Sequence, residues 1–224
     1  METKIEQMNQ LTFKFPFKTN YFEEDFYVST NNFSAYKLIE SWPKWPSRFV
    51  NIFGPSGCGK THLANIFKKK INSYLVKASE LNDLSLSLIK SKDCLIIDDY
   101  KSNIEEKLFY SILNQSHQSN QYVIINSLQS IKVSIVELKD LKSRFDSFID
   151  IGINLPTDDL IRVVLTKTFS DKQVKIGSRL LEYILKNINR SYQDIFDLID
   201  KVDSLSLSTG KSINIDLIKK ALNK

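Results

Sequence analysis

The chain has 224 residues, 42% of them hydrophobic and 25% charged, with a formal net charge of +5; that is long enough for a sizeable core and ordinary for a folded soluble protein. No apolar run approaches the ~20 residues of a membrane span, Met1 to Gln10 has no apolar stretch of signal type, and Cys58 and Cys94 stand in no metal-ligand spacing. The expectation is a cytoplasmic protein with two reduced packing thiols, no membrane contact and no metal cluster.

In chain order, NQLTFKFPF (9–17) alternates apolar and polar residues and reads as an extended strand, with Leu11, Phe13 and Phe15 on one side. Residues 49–53 form a short apolar strand that enters a glycine-rich turn, and 61–71 follow as a helix. The Lys68-Lys69-Lys70 cluster falls where that helix should end, a position its dipole favours for cations. A strand over 74–78, a helix over 80–90 and an all-apolar strand over 94–97 come next. Ile104, Leu108, Ile112 and Leu113 set a helix over 104–119. Strands over 122–125 and 148–153 complete the series. Short apolar strands alternating with helices imply a parallel sheet covered on both faces. After Leu155-Pro156 the strands stop, and helices are expected over 157–170, 178–189, 191–206 and 214–222, capped by Thr157, Ser178, Ser191 and Asn214. The fold class is therefore α/β with a parallel five-stranded sheet, followed by a small all-α lid. The expected divisions are an N-terminal extended segment 1–21, an α/β subdomain 22–156 and a helical subdomain 157–224.

GPSGCGKT, residues 54–61, matches GxxxxGK[ST] in full, between an expected strand and an expected helix. Gly54, Pro55, Ser56, Gly57, Cys58 and Gly59 form a loop whose backbone N–H groups cradle phosphates at a positive helix end. Lys60 would reach the β- and γ-phosphates of ATP or ADP, and Thr61 would ligate Mg2+. His62 follows directly. CLIIDDY (94–100) delivers two carboxylates at the end of a buried strand. Asp98 is assigned to the Mg2+ shell, and Asp99 to orienting or deprotonating the attacking water. VIINS (123–127) ends the next strand, where Asn126 is a candidate for the γ-phosphate or the water, with Ser127 beside it. Arg144, in ELKDLKSRFDSF, lies just before the last strand. It suits either a neighbouring subunit's nucleotide or a surface pairing with Asp140.

This order of P-loop, paired aspartates, strand-end Asn, Arg before strand five and a four-helix lid resembles the AAA+ ATPases. FYVSTNN, GPSGCGKTHL, LIIDD and LKSRF look like the DnaA branch, the bacterial replication initiators. A chain that ends after the lid, with WPKWP (42–46) before its first core strand, is similar to the Hda group, the regulatory inactivators of DnaA, of alphaproteobacterial type. That resemblance implies that QLTFKF docks on the DNA polymerase III sliding clamp (its beta subunit), with Gln10 as polar anchor and Leu11, Phe13 and Phe15 as apolar ones. It implies DnaA as partner, DNA contact through the clamp, and Arg144 as a finger that completes DnaA's ATP site. The lid arginine of the family falls on Gln193, and Arg190 stands one turn earlier as the candidate nucleotide contact. Self-association is left open. The competing reading is an autonomous helicase-loader-like ATPase acting on single-stranded DNA.

Overall fold

The computed structural model describes residues 21–101, 104–172, 174, 176–210 and 212–223; Gln10, Leu11, Phe13 and Phe15 lie outside them. The chain divides into two compact units whose described parts are residues 21–155 and 156–223. In the first unit, β1 (Phe49–Phe53), β2 (Ser73–Lys77), β3 (Cys94–Tyr100), β4 (Tyr122–Ser127) and β5 (Ile149–Gly152) form one sheet. Its order is β2-β3-β4-β1-β5, with every neighbouring pair parallel. The expected α/β architecture is the one formed. Parallel neighbours need crossovers, and helices α1 (Phe33–Ser41), α2 (Lys60–Lys68), α3 (Asp83–Ile89), α4 (Glu106–Gln118) and α5 (Lys139–Asp146) cover the sheet.

The register sorts the strand residues by face. Asn51 lies beside Ile125 and Asp150, and Ile125 beside Ile97. Side chains alternate along a strand, so Asn51, Ile97, Ile125 and Ser127 share one face, and Ile52, Asp98 and Asn126 the other. The Asn51 face packs on Ile89 of α3, Phe109, Ile112 and Leu113 of α4, and Leu141 and Phe145 of α5. The Asp98 face receives α2, whose Leu63, Ala64, Ile66 and Phe67 are buried.

Several boundaries differ from the sequence reading. The helix expected over 80–90 is a 3-10 turn at Ala78–Glu80 followed by α3, because Asn82 stops the first and caps the second in a reciprocal box with Ser85. The strand expected to end at Ile97 runs on through Asp98 and Asp99 to Tyr100, across a register shift. Helix α4 starts at Glu106 rather than at 104, and α1 was not expected at all.

The second unit contains α6 (Asp158–Asp171), α7 (Ser178–Asn187), α8 (Tyr192–Thr209) and α9 (Ile215–Ala221). Its core includes Leu165, Phe169, Ile184, Ile195, Ile199 and Ile218. Thr157, Ser191 and Asn214 cap as expected, accepting from the N–H groups of Leu160, Asp194 and Leu217. Ser178 does not: it is the first helical residue, and Gly177 occupies the cap position. No helix among the described residues is long and apolar enough to cross a membrane.

Candidate functional site

Strand β1 ends in the loop 54–59, which turns directly into α2. Two glycines are demanded by space. A Cβ on Gly54 would lie 2.6 Å from the Ile153 carbonyl oxygen, and one on Gly59, at φ +96°, 2.9 Å from Cε2 of Phe26. The first N–H groups of α2 have no partner within the helix and face the loop's concavity, where an anion suits them. Lys60 Nζ donates to the carbonyls of Gly54 (2.8 Å) and Pro55 (3.0 Å), curling over the loop. Cys58 is buried beneath it, 3.6 Å from Nζ, and burial pushes its thiol above the ordinary range. Pro55, Ser56 and Gly57 form the loop's half-buried to exposed crest.

Three residues from separate elements meet beside the loop. Thr61 Oγ1 donates to Asp98 Oδ2 (2.8 Å), and Asn126 Nδ2 donates to Asp98 Oδ1 (2.9 Å). Asp98 is 7% exposed and Asn126 fully buried. The Asn126 Oδ1 atom is buried with no hydrogen-bond partner among the described residues. A hydroxyl, a carboxylate and an unpartnered carboxamide oxygen make a hard-oxygen set that suits Mg2+. Among the described residues no group of three or more His, Cys, Asp or Glu is placed to hold a metal.

The other candidates distribute unequally. Asp99 is exposed at φ +54° and pairs with Lys101 (3.2 Å), so it takes no part in the Thr61–Asp98–Asn126 bonding. Ser127, one residue on, points to the opposite face and bonds Asn51. His62 Nε2 donates to the Phe22 carbonyl (2.6 Å), and its ring meets those of Tyr21 and Phe26 edge-on, both at 5.4 Å. Phe26 stacks on Tyr36 at 5.9 Å. Sequence reading missed this aromatic group; the only signal was the density of rings in YFEEDFY. Arg144 does not pair with Asp140: it donates through Nη2 to Asn114 Oδ1 of α4 (2.7 Å). Its place in the sheet is informative. Phe53 and Gly152 are register partners, so the P-loop lies at the C-terminal ends of the strands. Arg144 stands five residues before β5 begins, at the N-terminal ends. The intervening strand length is roughly 15 Å, at ~3.3 Å per residue. In the helical unit, Arg190 bonds Asp158 through both Nε (2.9 Å) and Nη2 (3.2 Å), and Gln193 bonds Asp197.

Domain III of the Thermotoga maritima replication initiation protein DnaA superposes with a TM-score of 0.76, over 93% of this chain and 98% of that one, at 20% identity. The fold is therefore that of this DnaA domain. The AMPPCP-bound DnaA of Aquifex aeolicus is similar at a TM-score of 0.66 and 23% identity, covering 84% of this chain and 66% of that one. The Thermotoga maritima RuvB branch migration motor reaches 0.59 at 22% identity, over 78% of this chain and 61% of that one. By sequence, a family model described as RNA helicase matches residues 50–145, the stretch that holds the P-loop, Asp98, Asn126 and Arg144. The chromosomal replication initiator DnaA of Borrelia garinii subsp. bavariensis is 25% identical across 98% of this chain and 51% of its own length. That of Buchnera aphidicola subsp. Baizongia pistaciae is 27% identical across 97% and 54%. The chain thus spans about half the length of the curated relatives it matches.

Proposed function

We propose that this AAA+ core binds an adenine nucleotide with Mg2+ and, tethered to the sliding clamp through Gln10, Leu11, Phe13 and Phe15, supplies Arg144 to the ATP site of DnaA. The observation that carries the proposal is the opposition of two features across one sheet. The loop 54–59 and the Thr61–Asp98–Asn126 group sit at the C-terminal strand ends, and Arg144 sits about a strand's length from them. A guanidinium so placed serves a nucleotide bound elsewhere. In the site itself, Lys60 exchanges its carbonyl partners for phosphate oxygens. Thr61, Asp98 and Asn126 offer oxygens to Mg2+, which supplies charge neutralisation at the phosphates. Asp99, turned out toward Lys101, supports a reading in which the protein's own hydrolysis is not the output. The helical unit contributes Arg190 as a candidate nucleotide contact. Stimulated hydrolysis leaves DnaA with ADP, which restrains replication initiation. An arginine finger contributes ~10³–10⁵ in rate where it operates, and the clamp tether raises effective concentration.

The intact Thr61–Asp98–Asn126 group favours one second reading, an autonomous ATPase acting with single-stranded DNA. One assay separates the two: ATP hydrolysis by the purified protein, by DnaA, and by both with clamp loaded on DNA. The trans reading expects conversion of ATP-DnaA to ADP-DnaA only in the full mixture, lost in Arg144→Ala and in Arg144→Lys, which lacks the planar fork. It also expects Lys60→Ala to bind no ADP by calorimetry. Hydrolysis by the protein alone, stimulated by single-stranded DNA and unaffected by Arg144→Ala, would establish the second reading instead.

A further inference from the structure

Asn51 is the lone polar residue of FVNIF, and it is fully buried at the centre of β1. A buried amide costs free energy unless its donors and acceptor are met, and at Asn51 they are. Nδ2 donates to the Ile125 carbonyl (2.9 Å) and to Ser127 Oγ (2.8 Å), and Oδ1 accepts from the Ile131 N–H (3.0 Å). The network continues outward. Ser127 Oγ donates to the Gln129 carbonyl (2.6 Å). Ser130 Oγ donates to Asp150 of β5 and accepts from the Lys132 N–H. Lys142 of α5 reaches back to the Lys132 carbonyl. Glu106 of α4 accepts from the N–H groups of Glu137 (2.9 Å) and Leu138 (2.7 Å), at the start of α5.

Asn126 and Ser127 are consecutive and face opposite sides of the sheet. The first touches Asp98, and the second touches Asn51. A shift of Asp98 or its cation therefore reaches the Arg144 side of the sheet through one peptide unit, and Asn51 is what that unit is anchored to. The buried Asn51 amide, with both donors and its acceptor met, holds the end of β4 in one arrangement. We propose that Asn51 is a positioning residue: it seats the end of β4 so that Asn126 meets Asp98, and it couples the state of that carboxylate to residues 127–138, which lead into α5 and Arg144. The proposal rests on the nucleotide-binding reading above.

The test is hydrogen–deuterium exchange of the full chain with and without MgADP, beside calorimetry of ADP binding. In the wild type, MgADP slows exchange across 127–138. Asn51→Leu, similar in size but without polar atoms, speeds exchange of the Ile131 amide ~10-fold or more and abolishes the MgADP response there, with the affinity for ADP measured without Mg2+ within ~3-fold of wild type. Ser127→Ala weakens the response and Ser127→Thr restores it, a pair that keeps the question open to measurement should Asn51→Leu fail to fold. A purely structural Asn51 would raise exchange evenly across the first unit and leave the MgADP response in place; that result overturns the proposal. So does a wild type that binds MgADP with no change over 127–138. A wild type that binds no MgADP by calorimetry refutes the nucleotide reading itself, a distinguishable failure.

Discussion

Replacing Asp98 by Ala and by Asn separates what the carboxylate does for the fold from what it does for a cation. Alanine removes the acceptor of both the Thr61 hydroxyl and the Asn126 carboxamide. A buried donor stripped of its partner costs ~1–3 kcal/mol. Asn126 is fully buried and already has an unpartnered Oδ1, so it takes the upper part of that range. Thr61 is half-buried and can turn toward water, so it takes the lower part. Relief from desolvating a carboxylate offsets about 1 kcal/mol. The net for Asp98→Ala is ~2–4 kcal/mol, or a fall in Tm of ~4–16 °C for a chain of this size. Asp98→Asn keeps the shape. Its Oδ1 still accepts from Asn126 and its Nδ2 meets the Thr61 oxygen, so the cost stays under ~1 kcal/mol. Both variants lose the negative charge proposed to hold Mg2+. Thermal melts with ADP, with and without Mg2+, should therefore show three patterns. The wild type gains stability from ADP and further from Mg2+. Asp98→Asn starts near the wild type and loses the Mg2+ increment. Asp98→Ala starts low and loses it too. Equal destabilisation by Asn and Ala, or a Mg2+ increment that survives in Asp98→Asn, would refute the reasoning.

Burial pushes the Tyr100 hydroxyl up to about 12, above the ~10 of an unfolded tyrosine, so its contribution to stability is complete below pH ~10 and lost as pH rises from there to 12. Urea midpoints across that range should fall more steeply for the wild type than for Tyr100→Phe, and parallel curves would remove Tyr100 from the account. Ser191→Ala deletes the α8 cap, whose Oγ accepts from the Asp194 N–H at 3.0 Å, and should lower stability by ~0.5–2 kcal/mol in a thermal melt; an unchanged midpoint would mean the cap is idle. Alanine at Gln10, Leu11 and Phe13 together should abolish clamp capture and spare ADP binding, each apolar anchor being worth ~1.5–3 kcal/mol. Undiminished capture by that variant would assign the segment another role.

What could be read in advance was what is local. The P-loop follows from spacing alone, and the buried strands follow from unbroken apolar runs such as Cys94 to Ile97. The fates of Asp98 and Asp99 are decided by the bulge and the left-handed turn at Asp99, which two identical letters do not announce. Asn126 was a weak signal because a strand-end Asn is common; only the sheet brings it to Asp98. Arg144 had a plausible sequence neighbour in Asp140, yet its partner is Asn114, thirty positions away on α4. Helix α1 was missed because FSAYKLIES lacks a capping side chain, and Asn32 before it makes no cap bond. Asn51 stood in plain view as a polar letter in an apolar strand, but its three partners come from β4 and the turn after it.

The two outer strands carry a consequence for the protein at high concentration. Sheet edges expose unpaired backbone groups and invite other chains to add strands. Here β5 has four residues and β2 five. Asp150, in the middle of β5, turns its carboxylate inward to Ser130, and Lys77 ends β2 with an exposed charge. The most apolar strands, β3 and β4, are interior to both. Short, charged borders thus shield the segments CLII and VII from cross-β association. Asp150 acts as a gatekeeper: with valine in its place, β5 would present Ile-Val-Ile at an open edge, and the protein's solubility would depend on whatever covers it.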